Sequence, residues 1–137
     1  MRDDRKTDER KVFSSLNAHP SSSLIKGVAV LPEELVKRIA AKNAPSVIDV
    51  RTGFEFKKGR IPGAINAPIW KIMLRLAALP ADKQTALVVL CELGPRAVMA
   101  KSILGFMGYC NIDLLDGHMA AWRRLKLPQE KVRSDER

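Results

Sequence analysis

The run Leu87-Val88-Val89-Leu90-Cys91-Glu92-Leu93-Gly94-Pro95-Arg96-Ala97 restricts the fold more than any other part of the chain. Its first four residues are apolar without alternation. A strand of that kind is covered on both faces, as a central strand of a parallel sheet is. The run stops at Cys91, turns through Gly94 and Pro95, and continues as a helical pattern from Arg96. Open α/β sheets bind ligands outside the carboxyl ends of their strands, which is where this places Cys91. Loop amides and a helix start favour an anion there, so the position suits a thiolate or the longer persulfide anion. Arg96 adds a fixed positive charge at the far end of the loop. Taken alone, a cysteine after an apolar strand is more often an inert core residue.

The rest of the chain repeats the alternation of strand and helix. A short first strand is predicted at Gly27–Val30. A helix follows from Leu31 to about Asn43, opened by Pro32 and by Glu33 and Glu34 in its first turn. Ser46–Arg51 reads as a strand, Gly53–Gly59 as a turn with one helical turn, and Ala64-Ile65 as a very short strand. Pro68–Leu79 carries helical spacing through Ile69, Ile72, Met73, Leu76 and Leu79, and Pro80 stops it. Thr85–Leu90 is the strand that delivers Cys91. Arg96–Met107 is a helix with Ala97, Ala100, Ile103, Leu104 and Met107 towards the sheet, ended by Gly108. Asn111–Leu115 and His118–Leu125 complete the series as strand and helix. This order predicts an α/β fold with a parallel sheet, right-handed crossovers and helices on both faces.

Composition narrows the function classes. The chain has 137 residues, enough for one domain with a proper core. The reading is a flexible N-terminal lead over residues 1–23, a domain over 24–128 and a C-terminal tail over 129–137. No apolar run reaches the length of a membrane span, and the N-terminus shows no secretory apolar segment. Two cysteines, Cys91 and Cys110, are too few for a disulfide framework. The expectation is a soluble cytoplasmic protein with reduced thiols. Nearly all of the net charge of +9 lies on the body, because basic and acidic residues almost balance in both tails. That charge suits an anionic substrate or an acidic partner. Only 5% of residues are aromatic, and no basic helix is interleaved with them, which argues against nucleic-acid binding.

Several motifs together resemble the rhodanese-like family. Val47-Ile48-Asp49-Val50-Arg51, then Glu55, then Gly59-Arg60-Ile61-Pro62-Gly63-Ala64-Ile65-Asn66 and Pro68 are similar to its first signature. Cys91-Glu92-Leu93-Gly94-Pro95-Arg96-Ala97 resembles its active-site loop. Gly108-Tyr109 and Leu115-Asp116-Gly117-His118-Met119-Ala120-Ala121-Trp122 resemble the signature near its end. The similarity runs over roughly residues 28–128. It implies a five-stranded parallel sheet in the order 3-2-4-5-1, flanked by helices. It also implies sulfurtransferase chemistry without a cofactor or metal. Cys91 would attack the outer sulfur of a small donor, hold it as a persulfide and pass it to cyanide, a thiol or an acceptor protein. Cys91 to Arg96 makes a six-residue loop, the size that sulfurtransferases carry. The related cell-cycle phosphatases have one residue more.

The resemblance makes Cys91 the catalytic residue and Glu92, Leu93, Gly94, Pro95 and Arg96 the persulfide-binding loop. Asp49 and Arg51 would support it, tying the Glu55 and Arg60 loop together by hydrogen bonds. The chain departs from the family pattern at four places. Glu92 puts a carboxylate beside the nucleophile, which puts the thiosulfate dianion in doubt and favours a neutral, cationic or protein-bound persulfide donor. Pro95 removes one loop amide. Arg60 replaces a histidine. His118 replaces a glycine and carries backbone strain if that glycine has positive φ. His118 otherwise reads as structural or exposed, without a partner at metal spacing. Trp122 reads as core, and Cys110 as too far away to resolve the persulfide. A second class stays open: a catalytically weak rhodanese-fold binding or regulatory module.

Overall fold

A computed structural model describes residues 29–131. The lead expected over 1–23 lies outside the described residues. The elements are α1 (Pro32–Ala40), β1 (Ser46–Asp49), α2 (Gly53–Lys58), β2 (Ile65–Asn66) and α3 (Ile69–Met73), then β3 (Leu87–Leu90), α4 (Pro95–Phe106), β4 (Ile112–Leu114) and α5 (His118–Arg124). The four strands form one parallel sheet in the order β2-β1-β3-β4. β3 lies inside it, paired residue by residue with β1 from Ser46↔Leu87 to Asp49↔Leu90. All four β3 residues are buried, as the unbroken apolar run requires.

The alternation of side chains along β3 splits the core into two layers. Leu87 and Val89 point to one face, where they meet Ile72 of α3 and Ala97, Ala100 and Leu104 of α4. Val88 and Leu90 point to the other, towards Leu35 of α1 and Met119 and Trp122 of α5. Helices therefore cover both faces. Trp122 is fully buried, and its indole N–H donates to the Pro128 carbonyl at 2.8 Å, so it is a core residue.

One expectation needs correction and another is met in part. Among the described residues the sheet has four strands, and the fifth expected strand falls partly outside them. Gly27 and Val28 of the strand expected at Gly27–Val30 lie outside the described residues, and Val30 makes a parallel bridge to Leu115 beside β4. Its hydrogen bonds run from Val30 N–H to the Leu114 carbonyl and from Asp116 N–H to the Val30 carbonyl, both at 2.8 Å. Pro32 begins α1 two residues later and stops that pairing from continuing past Leu31. The helix expected over Pro68–Leu79 stops at Met73. Arg75 takes a left-handed conformation (φ 60°), and the Leu76 N–H closes the end on the Lys71 carbonyl. Met73, Leu74 and Leu76 are exposed, so their helical spacing has no surface to pack against.

Candidate active site

Cys91 continues the alternation of β3. It falls on the α4 face with Leu87 and Val89 and is only 1% exposed. The chain then turns at Gly94, whose N–H donates to Cys91 Sγ at 3.0 Å. Gly94 has φ 133°, and a Cβ there would lie 3.2 Å from His118 Nε2. The conformation favours glycine, and the space beside His118 is tight. Pro95 occupies the first turn of α4, where its missing N–H breaks no helical bond. The loop thus presents Gly94's amide to the sulfur directly ahead of a 12-residue helix.

Arg96 is held rather than free. Its Nη1 and Nη2 donate to the two oxygens of Glu55 at 2.8 and 3.2 Å. Glu55 is itself fixed by a capping box at the start of α2. Thr52 Oγ1 accepts the Glu55 N–H, and Glu55 Oε1 accepts the Thr52 N–H. The Arg96 guanidinium pulls the Glu55 carboxyl down to about 2, against a smaller opposing effect of burial. The same pair raises Arg96 above its ordinary value.

Asp49 and Arg51 form a buried pair at the end of β1. Arg51 Nε donates to Asp49 Oδ1 at 3.0 Å and Nη2 to Oδ2 at 2.8 Å. Nη2 also reaches the Gly59 carbonyl at 2.8 Å, which pins the turn after α2. Arg51 therefore ties the turn beside Arg60, whereas Glu55 is tied by Arg96. Arg60 pairs through its backbone with Glu130, at 2.9 and 2.8 Å.

Glu92 is drawn to two cations. Its carboxylate pairs with Arg123 of α5 and lies 3.6 Å from Arg51 Nη1. These contacts offset the negative charge that the sequence sets beside Cys91. Leu93 is exposed. Arg51, Lys58 and Arg123 line a cleft of about 240 Å³ together with Glu55, Glu92, Gly59 and Gln129. Arg123 and Lys58 were not singled out from sequence. Nothing in their surroundings marks them until α5 and α2 are folded against the loop.

His118 is the residue that sequence reading most undervalued. It is buried, has φ 56° and follows Gly117 at φ 74°. The strain expected of it is therefore present. Its Nδ1 accepts the Cys91 N–H at 3.3 Å. The next two amides of α5 continue the seam: Met119 N–H donates to the Cys91 carbonyl at 3.0 Å and Ala120 N–H to the Glu92 carbonyl at 3.2 Å. Burial pushes the imidazole pKa down, and the Asp116 charge opposes this more weakly. The only sequence signal was the histidine's departure from a glycine.

Cys110 is exposed at the start of β4, against the Lys83 carbonyl, while Cys91 follows the end of β3. The two strands are parallel, so the cysteines sit at opposite ends of the sheet. No group of three metal-ligating side chains occurs among the described residues. No helix among them is long and apolar enough to cross a membrane.

A parallel α/β sheet with a buried cysteine at the end of an inner strand, looped onto a helix start, defines a class of single-cysteine sites. The profile of the rhodanese-like domain matches residues 31–125. The chain is 33% identical over 96 residues to a sulfurtransferase of Allochromatium vinosum, covering 70% of this chain and 88% of the relative. It is 34% identical over 70 residues to thiosulfate sulfurtransferase PspE of Escherichia coli, covering 51% and 67%. The rhodanese-related protein of Thermoplasma volcanium superposes with a TM-score of 0.64 at 27% identity, covering 77% of this chain and 98% of that one. The chain belongs to the rhodanese-like family.

Proposed function

We propose that this protein is a rhodanese-type sulfurtransferase that carries sulfane sulfur on Cys91. The observation that carries the reading is the Gly94 N–H aimed at Cys91 Sγ at 3.0 Å, in a six-residue loop closed by Arg96. Relatives named as sulfurtransferases support the same class. In the first step the Cys91 thiolate attacks the outer sulfur of the donor. A new S–S bond forms, the donor's own S–S bond breaks, and its electron pair leaves with sulfite or with a thiolate. Cys91 is left as a persulfide anion. In the second step cyanide, a thiol or a protein nucleophile attacks that outer sulfur, and Cys91 leaves as the thiolate.

The Gly94 amide and the start of α4 stabilise negative charge at either sulfur, so both half-reactions use one anion site. Asp49, Arg51 and the Glu55–Arg96 clamp hold the loops in place. Arg51, Lys58 and Arg123 give the neighbouring cleft its cations, and Glu92 offsets part of that charge. The donor is therefore a small thiosulfate-like or persulfide sulfur compound. We assign the reaction to a reducing compartment, where Cys91 and Cys110 stay unpaired.

Steady-state thiocyanate production from thiosulfate or a persulfide donor and cyanide tests the reading. Parallel double-reciprocal lines and an inactive Cys91→Ser are expected. A Cys91→Ser protein that turns over normally contradicts it. An inactive wild type with every donor returns the domain to a binding or regulatory role.

A further inference from the structure

His118 bonds to one part of the sulfur cradle and lies beside the other, yet it stands where the family pattern has glycine. Its Nδ1 accepts the Cys91 N–H at 3.3 Å. Its Nε2 lies 3.2 Å from where a Cβ on Gly94 would be, and Gly94 is the residue whose amide reaches Sγ. We propose that neutral His118 is a positioning residue for the Cys91 nucleophile, and that protonating its imidazole unlocks the loop and switches sulfur transfer down on the acid side. The inference rests on the sulfurtransferase reading above.

The hydrogen bond fixes the tautomer. A backbone N–H can only donate, so Nδ1 must present a lone pair and the proton of the neutral ring must be on Nε2. A second proton would have to enter at Nδ1. Two N–H donors would then face each other across 3.3 Å, and the Cys91 amide would lose its partner in a buried place. Cys91 and Glu92 are also stitched to α5 through their carbonyls, so the disturbance would pass along the whole seam.

The charged and titratable groups set against the imidazole are few. Asp116 acts from its own turn and favours protonation. Cys91 faces it from the loop after β3. Glu92 comes from the same loop, but its carboxylate is engaged by Arg51 and by Arg123 of α5. Burial disfavours the charged ring and outweighs Asp116. The imidazole is therefore neutral at neutral pH and gains its proton below its ordinary 6.5.

Two substitutions separate positioning from plain structure. Asn places Oδ1 near the position of Nδ1, tolerates the left-handed backbone and does not titrate. Gly suits φ 56° better than His but offers no acceptor. With turnover as the readout, log kcat/KM of the wild type should fall more steeply below the imidazole pKa than above it, because protonating the ring adds the loss of the positioned loop. His118→Asn should lose that extra steepness. His118→Gly should lose about tenfold in kcat/KM at pH 8, the factor of one misplaced loop hydrogen bond, and His118→Asn should recover most of it. A His118→Asn profile as steep as the wild type's, or a His118→Gly enzyme equal to the wild type at every pH, overturns the proposal.

Nitrogen-15 NMR of the imidazole at pH 7.5 provides a second measurement that needs no turnover and no variant of His118. His19→Gln removes the other histidine. The proton should be on Nε2, with Nδ1 unprotonated; a proton on Nδ1 overturns the proposal. If the enzyme is inactive at all pH values, the proposed function fails while the NMR result still decides the geometry.

Discussion

At the scale of single residues, Glu92 is the departure with the clearest consequence. Sequence alone sets its carboxylate beside the nucleophile, where it would repel a dianionic donor. The fold turns it to Arg51 and Arg123. It offsets two guanidinium groups in the cleft instead of standing unpaired. Glu92→Gln leaves those cations less compensated and should raise kcat/KM for thiosulfate by about three- to tenfold, the effect of about 1 kcal/mol of charge interaction at a partly exposed site. A neutral donor should respond little. Comparing the two donors on wild type and Glu92→Gln checks this, and an equal response from both would show that Glu92 does not act through charge.

At the scale of elements, α2 and α5 are the supports of the loop after β3. α2 delivers Glu55 to Arg96, and the capping box that starts α2 uses the same carboxylate. Thr52→Ala should therefore cost about 1 kcal/mol by loss of the cap and also loosen the clamp. Urea unfolding measures the first effect. The Glu55 carboxyl sits at about 2, below its ordinary 4.5. Its contribution to stability is complete above pH 4.5 and is lost as the pH falls from there towards 2. Glu55→Gln should flatten the melting temperature across that window, and an unchanged acid slope would contradict the clamp. Much of this architecture was legible in the chain. The unbroken apolar run of β3, the Gly94-Pro95 turn and the spacing of α4 are local signals, and each led to the right element. The six-residue loop could be counted directly. The Glu55–Arg96 clamp, the Glu92–Arg123 pair and the seam between Cys91 and α5 join residues 27 to 41 positions apart. No periodicity reports such contacts. The short α3 misled for the opposite reason, because helical spacing of Met73 and Leu76 does not ensure a surface to bury them.

At the scale of the whole molecule, the sheet separates two packed layers, and the site depends on both. Cys91 belongs to the α4 layer, while the helix that begins with His118 packs in the other through Met119 and Trp122. Trp122→Ala should cost about 3–5 kcal/mol, a large share of the roughly 5–15 kcal/mol that holds a domain together. It should lower sulfur transfer and the unfolding midpoint together, whereas Cys91→Ser should remove transfer with the midpoint nearly unchanged. Denaturant titration beside the activity assay separates these outcomes. The central claim, that Cys91 holds the transferred sulfur, is tested most directly by intact-protein mass spectrometry. Wild type and Cys91→Ser are each incubated with thiosulfate and, separately, with a persulfide donor. One sulfur gained by the wild type alone, and removed by cyanide, is the predicted result. A sulfur that appears equally on Cys91→Ser, or on neither protein with either donor, would contradict the account.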